Sequence, residues 1–168
     1  WSYSNSGICL AARVAEVVTG SRYPDLMSDL LFDPLGMSRS TFDISVASTY
    51  RMAQCHVIDA EGNVSVHHHQ ADAVAFSASG SVMTTANDLA RYLLLHMNGG
   101  EFEGQRILSE AAVAEMHAPA VNRYTPSGDG YGLGFYTGQH RGLAKVWHWG
   151  RILRYGGVAV TIPGARIG

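Results

Sequence analysis

The pattern of the sequence changes near residue 125, and this change limits the fold more than any other feature. Before that point apolar residues recur at the spacing of α-helices, whereas after Pro126 glycines and aromatic residues accompany short β-favouring runs. Helices followed by strands favour an α+β fold over a parallel sheet wound with alternating helices. We therefore predict a mostly helical region over residues 1–125 and an antiparallel sheet over residues 126–168, as two parts of one truncated domain.

Two short amphipathic helices are predicted near the start of the chain. The first runs from Ser6 to Thr19 and ends at Gly20, which can adopt the left-handed geometry of a helix C-cap. The second is expected to begin at Asp25, as its N-cap. It should end before Pro34, because proline disfavours helical geometry in the preceding residue.

Two further helices are predicted in the second half of the helical region. Thr85 or Asn87 begins the first of them, which ends at residues 98–100, where two glycines follow an asparagine. The second runs from Ser109, its expected N-cap, to His117. Both have enough apolar residues on one side to pack against a core.

The end of the chain has three β-favouring runs, at residues 131–137, 143–149 and 157–162. A turn at residues 138–142, rich in glycine, is expected to join the first two runs as a hairpin. Residues 38–81 have only short apolar runs broken by small and polar residues, so we predict that this segment is mostly loop.

Charge and composition narrow the choice of ligand. The net charge is −2 and no basic block is present, which argues against binding of nucleic acid through its phosphates. We expect a small molecule or a short peptide as substrate, without a cofactor. No run of 18 or more apolar residues predicts a transmembrane segment. Cys9 and Cys55 fit neither a disulfide framework nor a metal pattern and are expected to be small buried side chains.

Four sequence blocks occur in the order and spacing that class C β-lactamases, DD-peptidases and related esterases show. The blocks are YSNSG at residues 3–7 with LFDPLGM at 31–37, ASGSVMTTANDLAR at 78–91, YGLGF at 131–135 and HWG at 148–150. Each motif alone is common by chance, but four in order make coincidence improbable. The chain therefore resembles this family over nearly its whole length, which implies a β-lactamase/transpeptidase-like fold and often a periplasmic or secreted location.

The resemblance implies acyl transfer, in which a serine attacks an amide or ester carbonyl and forms an acyl-enzyme. Relatives activate the serine with a lysine in an S-x-x-K motif, which places both side chains on one helix face. This motif is absent here, because Lys145 is the only lysine and Gly142 lies three residues before it. The chain also starts at Trp1 and stops at Gly168, so we expect an internal fragment, inactive alone, with the serine and lysine upstream.

The resemblance implies three candidate catalytic residues. Tyr3, from the Y-x-N motif, would relay a proton once nearby cations, the missing lysine and possibly His148, favour its ionised form. Asn5 would offer its amide to the substrate or the lysine. His148 takes the place of the lysine in the K-T-G motif of β-lactamases, so its charge would depend on pH. The alternatives are a packing tyrosine, a helix N-cap at Asn5 and a strand histidine between Trp147 and Trp149.

Three further residues are candidates for substrate binding. Gly150 would let a substrate lie against the strand edge, where a side chain would block it. The backbone N–H of Arg151 corresponds to one donor of the family's oxyanion hole. Arg154 can bind a carboxylate through its planar guanidinium or project into solvent. Because relatives often have glycines after the H-x-G motif, these arginines put the substrate specificity of the relatives in doubt here.

Two other readings remain open. Residues 67–69 are three histidines and His56 lies nearby, so a metal site is one hypothesis. Adjacent side chains of an extended segment alternate faces, however, and do not converge on one ion. The chain could also belong to a non-catalytic family member that binds peptide or peptidoglycan. Because H-x-G replaces K-T-G, a DD-peptidase-like, D-amino-acid peptidase or esterase activity is favoured over efficient β-lactam hydrolysis.

Overall fold

The computed structural model describes residues 1–67, 74–123, 128–152 and 155–168, and its helices precede its main sheet along the chain. The helices are α1 (Asn5–Thr19), α2 (Tyr23–Met27), α3 (Ile44–Ala47), α4 (Ala86–Met97) and α5 (Glu110–His117), with a π-helix at Ser28–Phe32 and 3-10 helices at Val74–Ser79 and Pro163–Ala165. The strands are β1 (Cys55–Ile58), β2 (Val64–His67), β3 (Glu101–Phe102), β4 (Gln105–Arg106), β5 (Val121–Asn122), β6 (Gly130–Tyr131), β7 (Tyr136–His140), β8 (Leu143–Ile152) and β9 (Tyr155–Thr161). This arrangement confirms the predicted α+β class.

Helix α1 confirms the first helix prediction, including its C-cap. Gly20 has φ 74° and donates its N–H to the carbonyl of Glu16. At the other end the side chain of Ser4 accepts a hydrogen bond from the N–H of Gly7 at 3.0 Å, so Ser4 is the N-cap. The alternative prediction that Asn5 is the N-cap is therefore wrong, because Asn5 is already the first helical residue.

The caps of α4 and α5 also follow the prediction. The Thr85 hydroxyl accepts from the N–H of Asp88 at 3.2 Å, and the Ser109 hydroxyl accepts from the N–H of Ala112 at 3.1 Å. Thr85, rather than Asn87, is thus the N-cap of α4. These short-range polar signals located both helices correctly.

The second predicted helix differs in both its start and its form. Helix α2 begins before Asp25, with Pro24 in its first turn, where the missing N–H of proline costs nothing. The Asp25 carboxylate accepts two hydrogen bonds from Arg22 at 2.8 and 2.9 Å and caps no helix. A π-helix continues the segment to Phe32, so the chain does leave helical structure before Pro34 as expected.

Residues 38–81 were predicted to be mostly loop, and in the described part of this segment the structure adds helix α3, strands β1 and β2 and the 3-10 helix Val74–Ser79. Strands β1 and β2 form an antiparallel hairpin in which His56 pairs with Val66. Its turn is closed by Asp59, whose carboxylate accepts from the backbone N–H of Asn63 at 2.8 Å and from its side-chain amide at 2.9 Å. These hydrogen bonds to Asp59 stabilise the turn, which Gly62 and Asn63 alone did not predict.

The main sheet has the antiparallel strand order β5-β6-β7-β8-β9. The predicted strand over residues 131–137 is interrupted, because Gly134 has φ 83° and the N–H of Gly132 donates to the carbonyl of Phe135 at 2.8 Å. The hairpin turn is narrower than expected, since only Arg141 and Gly142 lie between β7 and β8. Strand β8 extends three residues beyond Trp149.

The fully buried side chains Leu35 and Leu95 form the centre of a core between α4 and the segment that follows the π-helix. Phe32, Met37 and Phe102 complete this cluster. Among the cysteines, Cys55 is buried as predicted, whereas Cys9 is only partly buried.

Helix α1, by contrast, has no fully buried residue. Four of its apolar side chains are more than half exposed: Leu10 at 67%, Val14 at 57%, Val17 at 68% and Val18 at 80%. A contiguous apolar stripe of this kind on a helix marks a surface that other protein normally covers.

Among the described residues, none of the helices combines the length and the apolar character that crossing a membrane requires.

Two glycines near the core provide a matched stability test. Gly100 and Gly104 both have left-handed backbone geometry, with φ of 92° and 81°, but a Cβ at Gly100 would overlap the carbonyl oxygen of Leu108, while a Cβ at Gly104 meets no atom within 4 Å. We expect Gly104→Ala to lower the free energy of unfolding by about 1 kcal/mol and Gly100→Ala by roughly 2–4 kcal/mol. Urea unfolding measures both, and equal losses would contradict the described packing.

Candidate active site

Five aromatic rings from distant parts of the chain lie close together beside strands β6, β7 and β8. This aromatic site consists of Trp1, Tyr3, Tyr131, Tyr136 and His148. The ring of Tyr3 lies 6.0 Å from the ring of His148 and 6.0 Å from that of Tyr131, between centroids. Tyr136 stacks on His148 at 5.0 Å. The structure thus brings together Tyr3 and His148, which are 145 positions apart in the sequence.

Local structure explains the position of each member. Tyr3 precedes the Ser4 cap, so the start of α1 fixes the direction of the chain at this residue. His148 lies in the middle of β8 and pairs with Ala159 of β9. Tyr131 ends the short strand β6 and pairs with Tyr136. A helix start and three strand positions therefore define the site.

The Tyr131 hydroxyl connects the two candidate catalytic side chains. It lies 3.1 Å from Nε2 of His148, and it also forms a side-chain hydrogen bond with Tyr3 that lowers the pKa of Tyr3 and raises the pKa of Tyr131. The donor and the acceptor of the bond between Tyr131 and His148 follow from the imidazole tautomer.

Burial sets the protonation of all three groups. It raises the pKa of Tyr131 to about 12, with the neighbouring Tyr3 and Tyr136 adding to the effect. It also raises the pKa of Tyr3, which the hydrogen bond from Tyr131 only partly offsets. Burial lowers the pKa of His148, and a hydrogen bond to the backbone of Trp149 only partly offsets this effect. The three groups are therefore neutral near pH 7.

This result corrects one part of the sequence-based expectation. His148 was a possible source of positive charge for ionising Tyr3, but a buried imidazole with a lowered pKa is neutral near pH 7 and supplies none. The alternative environment for His148, between Trp147 and Trp149, is not the one observed either. Its ring contacts are with the tyrosines at positions 3, 131 and 136.

The open face of the site is formed by Tyr3 and the second half of β8. Tyr3 is 43% exposed, so its ring is accessible although its hydroxyl is hydrogen-bonded. Strand β7 pairs with β8 only up to Trp147, and among the described residues β9 alone pairs with the stretch from His148 to Ile152. This leaves one edge of β8 open beside His148.

The other predicted residues differ in their relation to the site. Gly150 and Arg151 lie on the open stretch of β8, and no atom lies within 4 Å of a Cβ built at Gly150. Asn5 is exposed at the start of α1. Arg154 lies outside the described residues.

One cation that the sequence reasoning missed lies against the aromatic site. The Arg123 guanidinium carbon is 4.4 Å from the ring centre of Tyr136 and 5.3 Å from that of Trp1. Its Nε is buried and makes no hydrogen bond with the described residues. Cation–π contact with two rings holds this charge beside the site. Only the aromatic partners, which are distant in sequence, reveal it.

The described histidines do not support the hypothesis of a metal site. His56 pairs with Val66 and His67 pairs with Cys55, so the two histidines occupy successive ladder positions and point to opposite faces of the hairpin. The other two histidines of the 67–69 run lie outside the described residues. Among the described residues no three His, Cys, Asp or Glu side chains are grouped as metal ligands.

A separate surface depression of about 400 Å³ is lined by α4 and by Phe102 and Glu103. Arg91 pairs with Glu103 across it at 3.6 Å. It includes none of the predicted site residues.

A sequence profile of the Beta-lactamase family matches residues 1–168. The chain belongs to the beta-lactamase family. This confirms the resemblance found in the four sequence blocks and, with the fold, explains why a Y-S-N segment and an H-W-G strand lie side by side.

Individual relatives of this beta-lactamase family chain agree with the assignment. Penicillin-binding protein 4 of Amycolatopsis lactamdurans is 30% identical over 156 residues, which are 88% of this chain and 40% of that protein. The octameric penicillin-binding protein homologue from Pyrococcus abyssi superposes with a TM-score of 0.84 at 24% identity, over 99% of this chain and 36% of that one. A D-stereospecific amidohydrolase from Streptomyces sp. superposes with a TM-score of 0.72 at 21% identity, over 97% of this chain and 47% of that one.

At these identities the two structural matches show a shared fold. The chain spans less than half the length of each of these relatives. The features of this beta-lactamase family chain that concern catalysis therefore have to be argued from its own residues.

Proposed function

We propose that this chain forms part of the active site of a serine hydrolase that cleaves an amide or ester through an acyl-enzyme. The observation that carries the proposal is the contact of Tyr3 with His148 at 6.0 Å between ring centroids, beside an open strand edge. Two groups that can exchange protons, next to a backbone edge that can bind a peptide, suit acyl transfer better than simple ligand binding. Family membership supports the same class of reaction.

The nucleophile is proposed to come from a part of the protein outside this chain. No S-x-x-K motif is present in the 168 residues, and the relatives are more than twice as long as the matched region. The exposed apolar stripe of α1 supports this proposal, because it provides a surface on which another segment of the domain can pack. The serine and its lysine would then face Tyr3 from the open side of the site.

In the proposed reaction the serine oxygen forms a bond to the substrate carbonyl carbon while its proton passes to the ionised Tyr3 oxygen. The bond from the carbonyl to the leaving amine or alcohol then breaks, and that group receives the proton from Tyr3. Water next forms a bond to the acyl carbon, the serine–acyl bond breaks, and a proton returns to the serine. Atoms and charge balance over the two half-reactions.

The task of the lysine in this scheme is electrostatic. Burial raises the pKa of Tyr3. A positively charged ammonium group nearby would lower this pKa. The tyrosine therefore becomes an effective base only when the lysine is in place.

His148 and the open edge of β8 are proposed to bind the substrate. A neutral imidazole brings no full charge to the substrate, which differs from the lysine of a K-T-G motif. The substrate backbone would lie along the stretch that contains Gly150, and the N–H of Arg151 would contribute to the oxyanion hole. Arg154 and Asn5 remain candidates for contacts with the substrate ends.

We propose a D-amino-acid peptide, amide or ester as the substrate, in preference to a β-lactam. A neutral His148 gives weaker attraction for the carboxylate of a β-lactam than lysine would. The relatives named as a penicillin-binding protein and a D-stereospecific amidohydrolase fit this substrate class.

The test uses the complete polypeptide that contains this chain. We expect a fluorescent penicillin or an activated p-nitrophenyl ester to label it covalently, and peptide mapping to place the label on a serine followed three residues later by lysine. Substitution of that serine by alanine provides the control and should abolish labelling. If neither reagent labels the protein, or if the complete polypeptide has no S-x-x-K motif, the hydrolase proposal fails and a peptide-binding role replaces it.

A further inference from the structure

We infer that Tyr131 is a positioning residue of this active site, which holds the Tyr3 phenol and the His148 imidazole in a fixed mutual orientation through its single hydroxyl group. The inference rests on the proposed function, to which it adds a third residue. Its hydroxyl is 3.1 Å from Nε2 of His148 and is also hydrogen-bonded to Tyr3. No other described side chain is bonded to both of them.

The backbone around Tyr131 is held tightly on both sides. A Cβ built at Gly130 would lie 2.6 Å from the Pro119 side chain and 2.9 Å from the Thr137 hydroxyl. A Cβ built at Gly132 would overlap the carbonyl oxygens of two residues at the end of α5 and just after it. Only glycine fits at either position, so the chain packs closely against its neighbours before and after the tyrosine. Such packing gives the side chain a rigid base.

The ring of Tyr131 is also fixed by its neighbours. It meets Tyr136 edge-to-face at 4.9 Å and Tyr3 at 6.0 Å, with interplanar angles of 80° and 88°. Edge-to-face pairs of this kind are favourable and directional. The position of the hydroxyl therefore follows from the packing of the ring. Forming its two hydrogen bonds costs little conformational entropy, because the side chain is already ordered.

The two hydrogen bonds suit the proposed chemistry. The bond with Tyr131 lowers the pKa of Tyr3, so it favours the ionised form that acts as a base. The bond between the Tyr131 hydroxyl and Nε2 of His148 couples the imidazole tautomer to the orientation of this hydroxyl. One hydroxyl thus links the protonation of both partners.

Tyr131→Phe in the complete polypeptide is the test, because it removes the hydroxyl and keeps the ring. We expect kcat for an activated ester to fall by about 10- to 100-fold, the loss typical of one hydrogen bond to a charged group, with KM changed by less than about threefold. We also expect the rising limb of the pH profile of kcat/KM to move to higher pH, because Tyr3 loses the hydrogen bond that lowers its pKa.

The matched control is Tyr155→Phe, which removes a phenol hydroxyl bonded to the backbone carbonyl of Ala53 at 3.2 Å, outside the aromatic site. It should leave kcat and the pH profile unchanged. An unchanged kcat in Tyr131→Phe would overturn the inference. A lower kcat with an unmoved pH profile would overturn it too, because that pattern indicates a general packing defect.

A second measurement tests the inference without activity. The ¹⁵N shifts of the His148 ring should show one dominant tautomer in the wild type and a mixture of tautomers in Tyr131→Phe. The same tautomer in both proteins would contradict the positioning role. If the wild type hydrolyses no ester but the tautomer changes as expected, the proposed function fails while the role of Tyr131 in orienting His148 stands.

Discussion

Replacing Tyr3 by phenylalanine in the complete polypeptide is expected to lower kcat by about 10²- to 10⁴-fold, the range that general acid–base catalysis provides. The substitution keeps the ring, which contacts Tyr131 and His148, and removes only the hydroxyl that exchanges the proton. Because Tyr3 is 43% exposed, the loss of packing is small. Steady-state kinetics on an activated ester measures the effect, and KM should change far less than kcat.

Tyr50→Phe is the matched control for this experiment. Tyr50 is also a partly exposed tyrosine, and its ring lies under the guanidinium of Arg39 at 4.0 Å. Its hydroxyl is not needed for that contact, so kcat should stay at the wild-type value. A Tyr3→Phe enzyme with a kcat within threefold of the wild type would remove Tyr3 from the catalytic mechanism.

The second large effect concerns a pair of histidines in the interior. Nδ1 of His96 on α4 lies 3.1 Å from Nε2 of His117 on α5. Tyr92 and Phe135 pack edge-to-face on the His96 ring at 4.6 and 4.9 Å. The remaining nitrogen of His96 is buried and has no hydrogen-bond partner among the described residues. A charge on this ring would therefore have no compensating group.

Burial accordingly lowers the pKa of His96 to about 4, and the neighbouring His117 adds to the effect. The pKa of His117 is lowered by burial as well. In the unfolded chain a histidine binds a proton near pH 6.5, so below that pH the unfolded state holds more protons than the folded state. Stability is full above pH 6.5 and falls as the pH decreases towards 4.

We expect the free energy of unfolding to fall by roughly 3 kcal/mol between pH 7.5 and pH 4 because of His96, with a further loss from His117 in the same direction. Urea unfolding at a series of pH values measures this slope. His96→Phe, which fills the same space with an apolar ring, should flatten the slope. His140→Gln, at the exposed end of β7, serves as the control. An identical slope in His96→Phe and the wild type would show that acid lability arises elsewhere.

The parts of the fold that the sequence predicted well are those with local signals. Ser109 at the start of α5 and Gly20 at the end of α1 lie next to the backbone groups that they satisfy, so their meaning can be read from nearby residues. The strands were harder to predict from the sequence. The break at Gly134 depends on how β6 and β7 pack, and the β1–β2 hairpin depends on one turn-forming aspartate, Asp59.

The same division holds for the aromatic site. Motif order pointed to Tyr3 and His148, and the structure shows the two rings in contact. Tyr131 was part of a recognised block but had no assigned role, because its hydrogen bond to His148 spans 17 positions. Arg123 had no signal in the sequence, since only the stacking of its guanidinium on Tyr136 places it at the site. The protonation of His148 likewise depends on burial, which spacing does not reveal.

The most direct test of the account is a crystal structure of the complete polypeptide trapped as an acyl-enzyme with a slowly released penicillin or ester. The account predicts that the acyl group is attached to a serine outside this chain. It also predicts that the Tyr3 hydroxyl and a ring nitrogen of His148 both lie within about 3.5 Å of the serine oxygen or the bound acyl group. A structure with the acyl group on another face of the protein, or with these two side chains turned away from it, would contradict the account.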